Sequence, residues 1–88
     1  MKIKNGFVLR DVGGKSFVVA VGELSKTFKA IITLNETGKE IWKLLSSETT
    51  EQAVVDALME KYVDIDRGEA EKDVSEFVAK LKEDGILE

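Results

Sequence analysis

The period of the hydrophobic residues changes once along this chain, at the boundary between Leu34 and Asn35. Before the boundary, apolar residues stand in short β-branched and aromatic runs that are typical of strands. After it, they recur at spacings of three and four, which is typical of amphipathic helices. A chain of 88 residues has room for one hydrophobic core. Because the strands precede the helices, the pattern predicts a single α+β domain over residues 1–88.

Three antiparallel strands are expected before the boundary. Phe7–Val12 and Lys15–Val21 flank Gly13-Gly14, and paired glycines supply the positive φ angles of a two-residue hairpin turn. A looser connection, residues 22–27, leads to a third apolar run, residues 28–34. Alternation divides this run between two faces, with Phe28, Ala30, Ile32 and Leu34 on one and Lys29, Ile31 and Thr33 on the other.

Three helices are expected after the boundary. The first should run from Glu36 to Leu45, the second from Thr50 to near Tyr62, and the third from Asp66 to a stop at Gly85. The third helix has an amphipathic stripe made of Ala70, Val74, Phe77, Val78 and Leu81. A three-stranded sheet followed by three helices suits a winged helix-turn-helix in circular arrangement.

The amino-acid composition excludes most kinds of catalytic site. The chain has no His and no Cys, which excludes thiolate nucleophiles, imidazole dyads, disulfides and zinc sites built on these residues. The carboxylates lie on polar helix faces among lysines, which indicates a solvated surface, and no glycine-rich phosphate loop is present. We therefore expect no catalytic residue, no cofactor and no metal site. Arg10 and Asp11 interrupt the basic N-terminus after three apolar residues, so we expect neither a signal peptide nor a membrane span, and a cytoplasmic location.

Charge is divided unequally along the chain. Residues 1–34 carry six basic and two acidic residues, a net charge of +4, whereas residues 35–88 carry seven and fifteen, a net charge of −8. The third helix, residues 67–84, has four basic and six acidic residues. Such a helix would repel a phosphate backbone, so nucleic acid is not an expected partner.

The third strand is expected to lie at an edge of the sheet. Lys29 is its one charged residue and it has no Pro, so little in it opposes pairing with another chain. An extended peptide that added a fourth strand here would gain affinity from the backbone and specificity from adjoining pockets. A loop of this chain, or a second copy of it, are the alternatives for covering the edge.

The run from Ile32 to Leu45 resembles the LNxTGxxIWxLL signature of the PqqD family, named after coenzyme PQQ synthesis protein D. Other features agree along nearly the whole chain: Phe7-Val8-Leu9-Arg10 before Gly14, residues 57–62 followed by Asp64, and Asp73-Val74 with Phe77, Leu81 and Gly85-Ile86-Leu87.

This resemblance implies a RiPP recognition element, a small domain that binds the leader segment of a ribosomally made precursor peptide. Such domains present the leader to a modifying enzyme, often a radical SAM enzyme. The family's leader pairs with the third strand and lays apolar side chains against the third helix. On this chain the implied contact residues are Phe28, Lys29, Ala30, Ile31, Ile32 and Thr33 of the strand and Val74, Phe77, Val78 and Leu81 of the helix.

The resemblance also implies an architectural role for the signature, in which Asn35 caps the first helix, Gly38 permits close packing and Trp42 fills the core. We expect no fused catalytic domain, so the sequence resembles the free-standing members, and PQQ synthesis is one of several pathways it would suit. Two other functions remain as alternatives: a module that self-associates through the sheet edge as a homodimer, and a winged-helix DNA-binding regulator.

Overall fold

The computed structural model describes residues 1–28 and 31–88. The elements in chain order are β1 (Phe7–Val12), β2 (Lys15–Ala20), a short 3-10 helix (Gly22–Lys26), β3 (Ile32–Leu34), α1 (Glu36–Leu45), α2 (Glu51–Lys61) and α3 (Arg67–Glu83). The predicted α+β fold, a three-stranded antiparallel sheet followed by three helices, is confirmed. The likeness to a winged helix-turn-helix stays a prediction.

The hairpin turn forms where the paired glycines predicted it. Gly13 and Gly14 have φ angles of 59° and 80°, and Val12 lies opposite Lys15 across the turn. Both angles belong to the left-handed region, which side chains with a Cβ disfavour, so these two positions need glycine or a residue that tolerates that region.

The sheet has the order β1-β2-β3, which leaves β3 at an edge. Ile32 lies opposite Val18 and Thr33 opposite Phe17. The alternation predicted for this run holds for its described residues, since Leu34 is buried and Ile32 half-buried while Ile31 and Thr33 are exposed.

The third strand is shorter than predicted, because it begins at Ile32 and not at Phe28. The N–H of Phe28 donates to the carbonyl of Leu24 at 2.9 Å, which ends the 3-10 turn and takes Phe28 out of the sheet ladder. Its ring packs edge-on against Phe7, with centroids 5.1 Å apart. Lys29 and Ala30, which were predicted to belong to the strand, lie outside the described residues.

Each helix begins at its predicted cap. The side chain of Asn35 accepts from the N–H of Gly38 at 2.7 Å, and Thr50 and Asp66 accept in the same way from the third residue after them. Such caps satisfy backbone donors that no turn of the helix can reach. Gly85 follows α3 with a φ of 73°, as the predicted stop requires.

The helices cover one face of the sheet, and the core lies between the two layers. Trp42 is 4% exposed, which confirms its predicted core position, and it meets Phe7 edge-on at 6.2 Å. The other fully or nearly buried apolar residues are Ile3, Val18, Leu34, Ile41, Leu45, Val54, Val55, Leu58, Ala70, Val74, Val78, Leu81, Ile86 and Leu87.

The two ends of the chain meet, which no sequence pattern predicted. Ile3 and Leu87 form an antiparallel bridge, and the N–H of Lys4 donates to the carbonyl of Ile86 at 2.9 Å. A bridge of this length is too short to have a hydrophobic period. Within residues 1–28 and 31–88, no helix combines the length and the hydropathy needed to cross a bilayer.

Candidate functional site

The outer edge of β3 is open to a further strand. β2 occupies one side of β3, and no other strand of the described chain lies on its second side. Thr33 is exposed and Ile31, just before the strand, is 66% exposed. Backbone donors and acceptors on such an edge are available to an extended peptide.

A groove lies between this edge and α3. It holds a cavity of about 460 Å³ lined by Ile32, Thr33, Leu34, Asn35, Gly38, Phe77 and Lys80. Ile32, Leu34 and Phe77 are its large apolar residues, and Lys80 is the charged residue in its lining. We call this cavity the strand pocket. A pocket of this kind suits apolar side chains of a bound peptide.

The floor of the strand pocket depends on Gly38. A Cβ at this position would lie 3.1 Å from Oδ1 of Asn35, 3.4 Å from Cε2 of Phe77 and 3.6 Å from Cδ2 of Leu34. The close packing predicted at Gly38 is therefore present, with Phe77 of α3 as one partner, and Asn35 and Gly38 also line the pocket. The signature both builds the fold and forms part of the surface of the groove.

A second cavity continues the groove toward the start of α1. It has a volume of about 310 Å³ and is lined by Asn35, Thr37, Gly38, Ile41, Asp73, Glu76, Phe77 and Lys80. Four of these residues also line the strand pocket, so the two cavities are adjacent. We call the second cavity the acidic pocket, after Asp73 and Glu76.

The structure brings some of the predicted site residues together in the groove. Ile32, Thr33 and Phe77 line the strand pocket, and Ile31 lies next to it along the chain. Phe28 is half-buried and packs on Phe7, outside the lining of both cavities. Lys29 and Ala30 lie outside the described residues.

The remaining predicted helix residues lie in the core. Val74, Val78 and Leu81 are 0%, 2% and 1% exposed. A peptide on the surface has no access to them, because the stripe they form is the face that α3 packs against the rest of the domain. The prediction that Val74, Val78 and Leu81 contact the peptide is therefore wrong, and the prediction for Phe77, which lines the groove, stays a prediction.

Sequence reasoning missed the polar residues of α3 that line the groove. Asp73, Glu76, Phe77 and Lys80 fall at i, i+3, i+4 and i+7, which places them on one helix face beside the buried stripe. Phe77 belongs to the border between that face and the stripe. A large aromatic residue between the apolar and the polar face of an amphipathic helix was the signal that could have identified this face.

Electrostatic contacts fix the hairpin to α1 near the groove. The ammonium of Lys39 lies 3.0 Å from a carboxylate oxygen of Asp11. The hydroxyl of Ser16 donates to Asp11 as well, and with Lys39 it holds the pKa of this carboxyl below its ordinary value. Both contacts are exposed, so their role is to orient the hairpin more than to stabilise the domain.

The groove has the features of a surface that binds an extended chain. Among the residues that the structure describes, no group of three or more Asp and Glu side chains is arranged to hold a metal ion. What the site offers is an exposed strand edge, an apolar pocket and a few charged side chains. These features recognise an extended chain through its backbone and its side chains.

Comparison with known proteins agrees with this geometry. The family model described as coenzyme PQQ synthesis protein D (PqqD) matches residues 7–87. The solved structure of TbiB1 in complex with the TbiA(beta) leader peptide is 25% identical, with a TM-score of 0.77 over 100% of this chain and 95% of that chain. Lasso peptide synthetase B1 complexed with the leader peptide is 21% identical, with a TM-score of 0.71 over 97% of this chain and 93% of that chain. Among curated proteins, none matches the chain significantly.

Proposed function

The chain belongs to the PqqD family, and from this premise we propose that it is a non-catalytic module that binds the leader segment of a ribosomally made precursor peptide. The observation that carries the proposal is the open edge of β3 beside the strand pocket. The leader adds to the sheet as a fourth strand, antiparallel to β3. Its alternate side chains enter the groove against Phe77.

The two solved structures similar to this chain support the proposal. Each is a complex with a leader peptide, and the 25% identical one matches the whole of this chain. The open edge and the apolar pocket of this chain are the features that such a ligand requires. One apolar anchor side chain, if fully buried, contributes about 1.5–3 kcal/mol, and each net backbone hydrogen bond about 0.5–1.5 kcal/mol.

Once the leader is bound, the module presents it to a second protein. We propose that it holds the leader so that the rest of the precursor reaches the active site of a peptide-modifying enzyme, such as a radical SAM protein. The chain contributes no chemistry to that step. Because precursor peptides are made on ribosomes, we place this exchange in the cytoplasm.

Titration of the ¹⁵N-labelled domain with the leader encoded next to its gene tests the proposal. We expect amide shifts in β3 and on the face of α3 that bears Phe77. Shifts confined to α2 would contradict the proposed site. Sedimentation of the free domain at micromolar concentration is the control, because a dimer paired through β3 would compete for the same edge.

A further inference from the structure

The acidic pocket points to the kind of side chain that the leader carries next to its apolar anchor. We propose that the groove selects a leader with a Lys or Arg two residues from an apolar residue, the cation entering the acidic pocket while the apolar side chain fills the strand pocket. This inference rests on the proposed function and adds to it the substrate class of the site.

The two cavities of the groove are adjacent. They share Asn35, Gly38, Phe77 and Lys80, so the apolar part of the groove lies next to the part lined by Asp73 and Glu76. A ligand that fills the strand pocket therefore lies directly beside these two carboxylates.

The carboxylates of the acidic pocket are available to a ligand. Neither Asp73 nor Glu76 forms a salt bridge or a side-chain hydrogen bond with any residue in the described ranges. In contrast, Asp11, Glu40 and Asp56 all pair with a cation. Asp73 is half-buried, so a cation brought to it would be partly shielded from water.

Lys80 of α3 also lines the acidic pocket and lies one turn after Glu76, a spacing that favours an ion pair. Its ammonium nevertheless lies 3.7 Å from Asp84, on the next turn of the helix. Among the described residues, Asp73 and Glu76 therefore have no cationic partner, and a cation of the ligand can pair with them.

Strand geometry sets the spacing in the ligand. Alternate side chains of an added strand point to the same face and are about 6.8 Å apart. Asp73 precedes Phe77 by four residues, which is about 6 Å along the helix. A long basic side chain two residues from the anchor thus reaches the carboxylate of Asp73 or of Glu76.

A set of fluorescein-labelled nonapeptides tests this inference. Each peptide has Leu at its centre and Thr or Val at most other positions. One further position, two residues before or after the Leu, carries Lys, Gln or Glu. Fluorescence anisotropy with the whole domain should give the tightest binding for one of the Lys peptides, about three- to tenfold tighter than its Gln counterpart, and the weakest binding for Glu. The advantage of Lys should shrink as the salt concentration rises.

Variants of the protein that remove a charge identify the residues responsible for the preference for Lys. The double variant Asp73→Asn with Glu76→Gln should lose the preference for Lys and keep its affinity for the Gln peptide within about twofold. Glu60→Gln on α2 removes an exposed charge away from the groove and should keep the preference. Equal binding of Lys and Gln peptides, or an equal loss for both in the double variant, would overturn the inference and leave the proposed function standing. Failure of every nonapeptide to bind would also overturn the inference, whereas the proposed function is tested separately by the titration with the leader.

Discussion

Asn35 and Gly38 show how one pair of residues serves both the fold and the site. Asn35 accepts the N–H of Gly38 at 2.7 Å and so begins α1. Gly38 has no side chain, which lets the ring of Phe77 approach and leaves the floor of the groove open. The cap could be predicted from the sequence because it is a local property, and Gly38 could be predicted as a position of close packing, but its partner Phe77 could not. That the same residues line the groove could not, since this depends on where α3 packs.

Replacement of Gly38 with Ala should weaken leader binding more than it weakens the fold. The new Cβ would lie 3.4 Å from Phe77 and 3.1 Å from Asn35, so it narrows the groove and crowds the cap. The gain in helix propensity of about 1 kcal/mol offsets the crowding. We expect the free energy of unfolding in urea to change by less than about 1 kcal/mol and the leader affinity, measured by calorimetry, to fall about three- to tenfold.

Gly68 provides a matched control for this substitution. It also lies in the first turn of a helix, and its Cβ would lie 3.0 Å from the capping carboxylate of Asp66, outside the groove. Gly68→Ala should therefore affect stability to a similar small extent and leave leader affinity unchanged. If both variants bound the leader equally well, Gly38 would have no part in the groove.

At the scale of the elements, the sequence predicted which face of α3 is apolar but not which face lines the groove. Ala70, Val74, Val78 and Leu81 are buried as their spacing predicts, because an amphipathic stripe is the face that covers the core. The face that lines the groove lies beside the stripe, and only the position of α3 relative to β3 and α1 reveals it. β3 itself was predicted too long, because the hydrogen bond from Phe28 to Leu24 ends the preceding turn, and such a turn has no hydrophobic period.

The turn of the β1–β2 hairpin allows a prediction about the free energy of unfolding. A Cβ at Gly13 or at Gly14 would meet no atom within 4 Å, so only backbone conformation decides what each position accepts. Gly14→Ala should lower the free energy of unfolding by about 1 kcal/mol, because Ala disfavours a φ of 80°. Gly13→Asn should leave it nearly unchanged, because Asn tolerates the left-handed region. Urea denaturation measures both, and an equal loss in the two variants would show that the turn has a different conformation.

At the scale of the whole molecule, the sheet and the helical layer carry net charges of opposite sign. The first 34 residues carry a net charge of +4 and supply the sheet, whereas the rest carry −8 and supply the helical layer. An acidic helical layer is unsuited to a phosphate backbone. It is suited to the partly basic peptide that the acidic pocket would select. The fold and the open edge were predictable from hydrophobic period and from the family signature, whereas the two pockets form only where α3, which is distant in sequence, lies beside β3 and α1.

Pairing of the leader with the edge of β3 as an additional strand is the interaction on which the proposed function depends. A scan of the leader peptide by backbone N-methylation, one position at a time, isolates this interaction, because each methyl group removes one backbone donor and leaves the protein unchanged. We expect affinities that alternate along the paired segment: positions whose N–H faces β3 should lose at least about tenfold on methylation, and the positions between them should change by less than about threefold. Losses that recur every three or four residues, or no loss at any position, would contradict strand addition.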